Sequence, residues 1–284
     1  MKQYPTVPYY VESIDEKKVL KILHDAGLFS CCTVKLLQIV RFFNENRKLP
    51  DFVDGSHQFG IFKTRQQDLT NVFFEIDDSD ITYEDFIKGS LTDDELQFSD
   101  YTKLTLEELL PFVKKYFGFS NYVKDQIKIF ENTYEINYEN LCSVFYRGLD
   151  KVNETELADH KTFIDKCKQI QLDNPNINFL LQTDETEFFD LFVKEFPNSL
   201  YIKELPQLPK QNSHIAVNVV PDQRISFAIA FLAATHIVSK CKIMVTHTGN
   251  CGLWATLFRG NTENFYQFIT GAKAEGVTYN FWNK

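Results

Sequence analysis

The chain has 284 residues, 44% hydrophobic and 24% charged, a globular composition long enough for about two domains. Its formal net charge of -9 excludes the broad basic surface that non-specific nucleic-acid binding needs, although a local pocket for a phosphate remains open. The six cysteines form no Cys-x-x-Cys pair and several lie in apolar, strand-like stretches, which predicts reduced thiols. With no apolar run behind a basic N-terminus and none of membrane-spanning length, the expectation is a soluble, cytoplasmic protein.

In chain order, Val19 to Leu23 reads as a strand, followed by the turn Asp25 to Ser30 and a helix over Cys31 to Asn46 that stops before Pro50. Pro50 to His57 fits a second strand ending in a turn with Asp54 and His57, and Asn71 to Ile76 a third. That third segment runs into Asp77-Asp78-Ser79-Asp80. The Asp78/Asp80 spacing allows two readings, a solvated acidic loop or a metal site on a nucleotide diphosphate. Leu104 to Tyr116 and Asn121 to Tyr134 are predicted helices, and the Gly118 to Asn121 turn between them marks a domain junction. The expected domains are therefore 1–120 and 121–284. The 27 phenylalanines, against two Met and two Trp, predict cores built on aromatic rings.

The second half is more regular. Leu141 to Tyr146 is a buried strand, broken at Gly148 into a charged turn with Arg147, Asp150 and Lys151. A helix over about Glu156 to Gln171 leads to a second buried strand, Ile177 to Gln182, which ends at Thr183-Asp184-Glu185. The helix Glu187 to Glu195, a strand Leu200 to Lys203 and a long, well-buried helix Arg224 to Ser239 follow. Lys242 to Thr246 is expected as the last strand, with the turn His247 to Asn250 and a helix from Cys251 or Gly252 to Arg259.

Three turns, at Arg147, Asp184 and Thr248, would lie on one edge of a single parallel sheet. An arginine and a helix N-terminus suit phosphate charge, and an aspartate accepts from ribose or base donors. Taken alone, the Arg147 turn fits a ligand site or a structural ion pair equally well. No Gly-x-Gly-x-x-Gly fingerprint is present.

Phe145-Tyr-Arg147-Gly-Leu-Asp150-Lys151-Val152 resembles the His-x-Arg-x-x-Asp-Lys-Val segment of α1,6-fucosyltransferases and their bacterial chitooligosaccharide-modifying relatives. Phe179 to Glu185 with Phe196-Pro197-Asn198, and Thr246 to Asn250, are similar to that family's second and third segments. The resemblance covers about Leu141 to Gly260. The Gly27 to Ser30 turn, Leu49-Pro50 and the Asp54 strand also resemble N-terminal halves of glycosyltransferases that decorate large-virus glycans.

The resemblance implies an α/β, GT-B fold: two Rossmann-like domains facing a central cleft, with the donor nucleotide in the second. It implies an inverting glycosyltransferase with no essential metal cofactor, acting from a UDP- or GDP-sugar onto an oligosaccharide or glycoprotein glycan. Fucose or xylose is the expected sugar. By position, Arg147 would support the departing diphosphate, with Asp150 and Lys151 shaping its pocket. Asp184 would hold ribose or base, and Thr248, Gly249 and Asn250 the phosphates. Glu154 is the expected base, with Glu156, Asp54 and His57 as rivals. Phe145 stands where the family's guanine-contacting histidine occurs, and Gly148 where its closest relatives carry a second arginine. The base of the donor therefore stays open. Two other readings accompany this one: a metal-dependent GT-A enzyme using Asp78 and Asp80, and a non-catalytic glycan- or nucleotide-binding protein.

Overall fold

The computed structural model describes residues 9–14, 16–65, 67–81, 106–149, 157–210, 215–268 and 278–279. Asp150, Lys151, Glu154 and Glu156 lie outside the described residues. The chain divides into two compact units, Met1–Tyr122 and Val123–Lys284.

In the first unit, β1 (Tyr9–Ile14) pairs antiparallel with β2 (Lys17–Ile22), which pairs parallel with β3 (Phe52–Asp54). Between β2 and β3 runs α1 (Leu28–Asn46), so the βαβ opening read from the sequence is present. The helix is apolar on most faces and buries Phe29, Val34, Leu37, Val40 and Phe43 together with the polar Lys35 and Gln38. It ends at Arg47, whose left-handed backbone (φ 55) lets its N–H close on the Phe43 carbonyl at 2.8 Å.

Asn71 to Ile76 is not one strand. Thr70–Phe73 forms a short helix, α2, and Phe74–Glu75 (β4) pairs antiparallel with β5 (Gly118–Phe119). Asp68 Oδ1 accepts the Thr70 N–H at 2.8 Å, an aspartate turn that leads the chain into the helix at Thr70. Helix α3 (Leu106–Tyr116) buries Leu109, Phe112, Val113 and Tyr116 at helical spacing, with Glu107 and Glu108 in its first turn and Lys114 and Lys115 in its last. Edge-on phenylalanines fill this core, Phe43 on Phe112 and Phe74 on Phe117, each at 5.4 Å between centroids.

The second unit opens on α4 (Asn121–Thr133), which starts at the boundary between units, and is built around one six-stranded sheet. Its strands are β6 (Leu141–Tyr146), β7 (Asn178–Thr183), β8 (Leu200–Tyr201), β9 (Ile243–His247), β10 (Phe265–Phe268) and β11 (Thr278–Tyr279). The spatial order is β11-β10-β9-β6-β7-β8, parallel except for β11. Lys242 to Thr246 is therefore not the last strand, because β10 and β11 extend the sheet beyond β9.

Helices α5 (His160–Asp173), α6 (Thr186–Glu195), α7 (Arg224–Lys240) and α8 (Asn250–Arg259) complete the unit. Cys142, Val144 and Tyr146 of β6 pack with Phe163 and Cys167 of α5 and Phe188 and Phe192 of α6. The opposite face of β6 meets α7: Ser143 Oγ donates to the Val238 carbonyl at 2.8 Å, and the Phe145 ring lies 6.2 Å from Phe231. Covered on both faces, β6 can be an unbroken buried run rather than an alternating one. None of the six cysteines is in a disulfide, and all but Cys251 are buried.

Strand order reverses between β6 and β9: the chain moves from β6 to β7 and β8 on one side, then returns to β9 and β10 on the other. In open α/β sheets this switch point leaves a crevice at the carboxyl ends of the two strands, where ligands bind.

Candidate functional site

Arg147 follows β6 directly, and His247 closes β9 beside it. The Arg147 N–H donates to His247 Nε2 at 2.8 Å. A backbone amide can only donate, so Nε2 is unprotonated and the ring proton sits on Nδ1, which donates to the Thr248 carbonyl at 2.7 Å. One buried histidine thus ties the ends of both switch-point strands together.

The Arg147 side chain is buried, 4% exposed. Its Nε pairs with Asp184 Oδ2, its Nη1 donates to Cys251 Sγ at 3.3 Å, and its guanidinium carbon lies 5.8 Å from the Phe231 ring centroid. Asp184 Oδ1 accepts the Gly148 N–H at 2.9 Å, so this carboxylate engages both residues after β6. Cys251 is in the first turn of α8, which places the arginine at a helix N-terminus, where the helix dipole favours an anion. The turn into α8 depends on Gly249, whose φ of 128 is a backbone region that side chains rarely adopt. Thr248 is buried, and its N–H donates to the Phe268 carbonyl at 2.9 Å; Asn250 is the first residue of α8.

Glu185 adjoins this group with 0% exposure. Its Oε1 is 2.9 Å from His160 Nε2 at the start of α5. Its Oε2 occupies the space that a side chain on residue 148 would need, so a Cβ at Gly148 would collide with the carboxylate. The glycine here is required by close approach, not by a special dihedral. Around the same point the buried Tyr146 ring packs against His160 at 5.2 Å, Phe188 at 4.3 Å and His247 at 5.5 Å. Burial, reinforced by Glu185, Asp184 and Asp159, pushes the Tyr146 phenol well up, so it stays protonated.

The structure therefore brings together Arg147, Asp184, Thr248, Gly249 and Asn250 at one edge of one sheet. Asp54 lies in the other unit at the end of β3, where its Oδ1 accepts the Ser56 N–H at 2.9 Å. Burial alone would raise its carboxyl, but the Ser56 bonds and the charges of Lys21 and His57 hold it below the usual range, which weakens it as a base. His57 is exposed. Asp78 and Asp80 sit in an exposed turn whose Asp77 and Ser79 carbonyls accept from Lys115 Nζ at 2.9 and 2.6 Å. Among the described residues no three His, Cys, Asp or Glu side chains are grouped to hold a metal. Within them, too, no helix is long and apolar enough to cross a membrane.

Three residues of the site escape the sequence reading: His247, Cys251 and His160. Glu185 is read there with the Asp184 turn, His247 opens the third turn and Cys251 the helix after it, and what stays hidden is their partners. His160 is 25 residues from Glu185, and nothing local to either announces the contact.

No family model matches the chain, and no curated protein does. It is similar to solved fucosyltransferase structures. NodZ α-1,6-fucosyltransferase soaked with GDP-fucose is 12% identical over 58% of this chain and 50% of that one, with a TM-score of 0.39. Fucosyltransferase NodZ from Bradyrhizobium is 12% identical over 62% of this chain and 53% of that one, with a TM-score of 0.40. FUT1 of Arabidopsis thaliana in complex with GDP is 10% identical over 61% of this chain and 37% of that one, with a TM-score of 0.37. The chain spans about half the length of the NodZ chains and less of FUT1.

Proposed function

We propose that the protein is an inverting glycosyltransferase that moves a sugar, fucose or xylose, from a nucleotide-sugar donor to an oligosaccharide or glycoprotein glycan. The observation that carries this reading is the meeting of Arg147 with the first turn of α8 at the β6–β9 switch point, held by Asp184 and His247. A guanidinium and a helix N-terminus converging in such a crevice suit the charge of a diphosphate, both bound and departing. The three ordered motifs around Arg147, Asp184 and Thr248 add support for a sugar nucleotide over other phosphates.

In this reading the second unit takes the donor, within a domain division near 120/121, and no metal is required. Arg147 stabilises the leaving diphosphate, Thr248 to Asn250 line the phosphates, and Asp150 and Lys151 complete the pocket. Asp184 fixes the arginine and bounds the ribose side. Glu154 and Asp54 are the bases offered by the sequence. Phe145 cannot read guanine as a histidine would: it is buried against Phe231 on the α7 face of the sheet.

Thermal unfolding with GDP, UDP and their sugars tests the reading, because a ligand of the native state raises the melting temperature by mass action. A shift with UDP and none with GDP removes GDP-fucose as donor. No shift with either, or sugar transfer unchanged in Arg147→Ala, defeats the assignment. Activity lost in EDTA and restored by a divalent ion would instead favour the metal-dependent reading at Asp78 and Asp80.

A further inference from the structure

We propose that His160, held by Glu185, is the group that takes the proton from the acceptor hydroxyl in the transfer reaction, an inference that rests on the glycosyltransferase reading above. Glu185 is a fully buried carboxylate, and among the described residues the basic side chain shown within ion-pair distance of it is the His160 imidazole, at 2.9 Å. Burying a carboxylate is costly unless something specific is gained. The fold also keeps residue 148 bare of a side chain to make room for it.

The arrangement has the logic of a carboxylate–imidazole pair. With Glu185 Oε1 2.9 Å from Nε2, the proposed neutral ring keeps its proton on Nε2 beside the carboxylate and its lone pair on Nδ1, and the carboxylate's charge stabilises the imidazolium once Nδ1 is protonated. Tyr146 and Phe188 flank the ring at 5.2 and 5.1 Å and fix its plane. The histidine side chain is 24% exposed while its carboxylate is sealed, so of the two groups the imidazole is the one an acceptor can reach. Among the described residues, the charged and titratable groups around it include Glu185 and Glu187 on α6, Asp159 immediately before α5, and the protonated Tyr146 on β6. Arg147 and Asp184 lie one residue beyond Tyr146 and one before Glu185.

In the transfer step the acceptor oxygen forms its bond to the anomeric carbon. The bond from that carbon to the diphosphate oxygen breaks, and its electron pair leaves with the nucleoside diphosphate toward Arg147. The acceptor's proton passes to His160 Nδ1. Charge and atoms balance without a metal or redox partner. Glu185 acts as a positioning residue, not a base, because its carboxylate is out of reach of any acceptor.

The test uses the full chain and whichever of GDP-fucose and UDP-xylose the wild type turns over, with chito-oligosaccharide or water as acceptor. His160→Gln is expected to lower kcat by about a hundredfold or more while nucleoside diphosphate affinity stays within about twofold. Added imidazole should partly restore His160→Ala. Glu185→Gln keeps an acceptor on Nε2 but removes the charge, so it should shift the acid limb of the kcat–pH profile, an effect that a purely structural side chain would not have. Turnover in His160→Gln within about threefold of wild type, or loss of nucleotide affinity in step with rate, overturns the proposal. A wild type that binds neither GDP nor UDP defeats the glycosyltransferase reading itself, a result distinct from an active wild type indifferent to residue 160.

Discussion

Arg147 and His247 are joined across the switch point by a 2.8 Å bond from the arginine's own backbone N–H to the imidazole Nε2. The bond sets where β6 ends and where the guanidinium leaves the chain. His247→Phe keeps the ring's bulk but strands a buried N–H, and a donor left unpaired costs about 1–3 kcal/mol. Urea unfolding should show that loss, and nucleotide affinity should fall with it as Arg147 loses its fixed departure point.

Gly148 and Glu185 form a pair that a double-mutant cycle can resolve. A Cβ at residue 148 collides with the Glu185 carboxylate, so Gly148→Ala should cost about 1–3 kcal/mol through overpacking. In a Glu185→Ala background the space is free and the same substitution should cost far less. Additive losses, measured by chemical denaturation, would refute this coupling.

Arg259 closes the far end of α8. Its Nη1 donates to the Ser239 and Cys241 carbonyls at 3.0 and 2.6 Å, and its Nη2 to Lys242 and Glu263 at 3.0 and 2.8 Å. One planar fork thus ties the end of α7 and the entries to β9 and β10. A lysine is a point charge that cannot span four carbonyls. Arg259→Lys should lower unfolding free energy by about 1–3 kcal/mol, and the amides of β10 should lose hydrogen-exchange protection first.

These contacts also explain which parts of the molecule the sequence makes legible. The β6 run, the β7 turn and α7 are readable because each is a long apolar stretch bounded by turn residues. Those stretches place Arg147, Asp184 and Thr248 on one sheet edge. The switch point itself is not readable: β10 is a four-residue segment with a buried Gln267 inside it, and without β10 the order reversal loses its outer strand. Asn71 to Ile76 misleads because its β-prone run is split between a short helix, entered through the Asp68 turn, and a two-residue strand. Pairings such as Arg147–Asp184 and His160–Glu185 depend on strand order, which no local pattern encodes.

Lys35 is the clearest pH-linked group in the first unit. Its side chain is 1% exposed inside α1, with the ammonium 5.7 Å from the Phe117 centroid. Burial lowers its pKa from 10.5 to about 8, against the opposing charges of Cys32 and Asp68. Between about 8 and 10.5 the unfolded chain therefore holds more protons at this site than the folded one, so stability gained from Lys35 rises with pH across that window. Below pH 8 both states are protonated and the whole penalty applies, about 3 kcal/mol at roughly 1.4 kcal/mol per decade. The buried thiols act in the opposite sense: burial pushes Cys31 up to about 11, so its contribution is lost as pH rises above 9. Subtracting one pH–stability curve from another cancels the thiols. Lys35→Met should be more stable than wild type at pH 7, and that advantage should shrink steadily toward pH 10. A constant difference between the two curves would show that Lys35 keeps its proton in the fold.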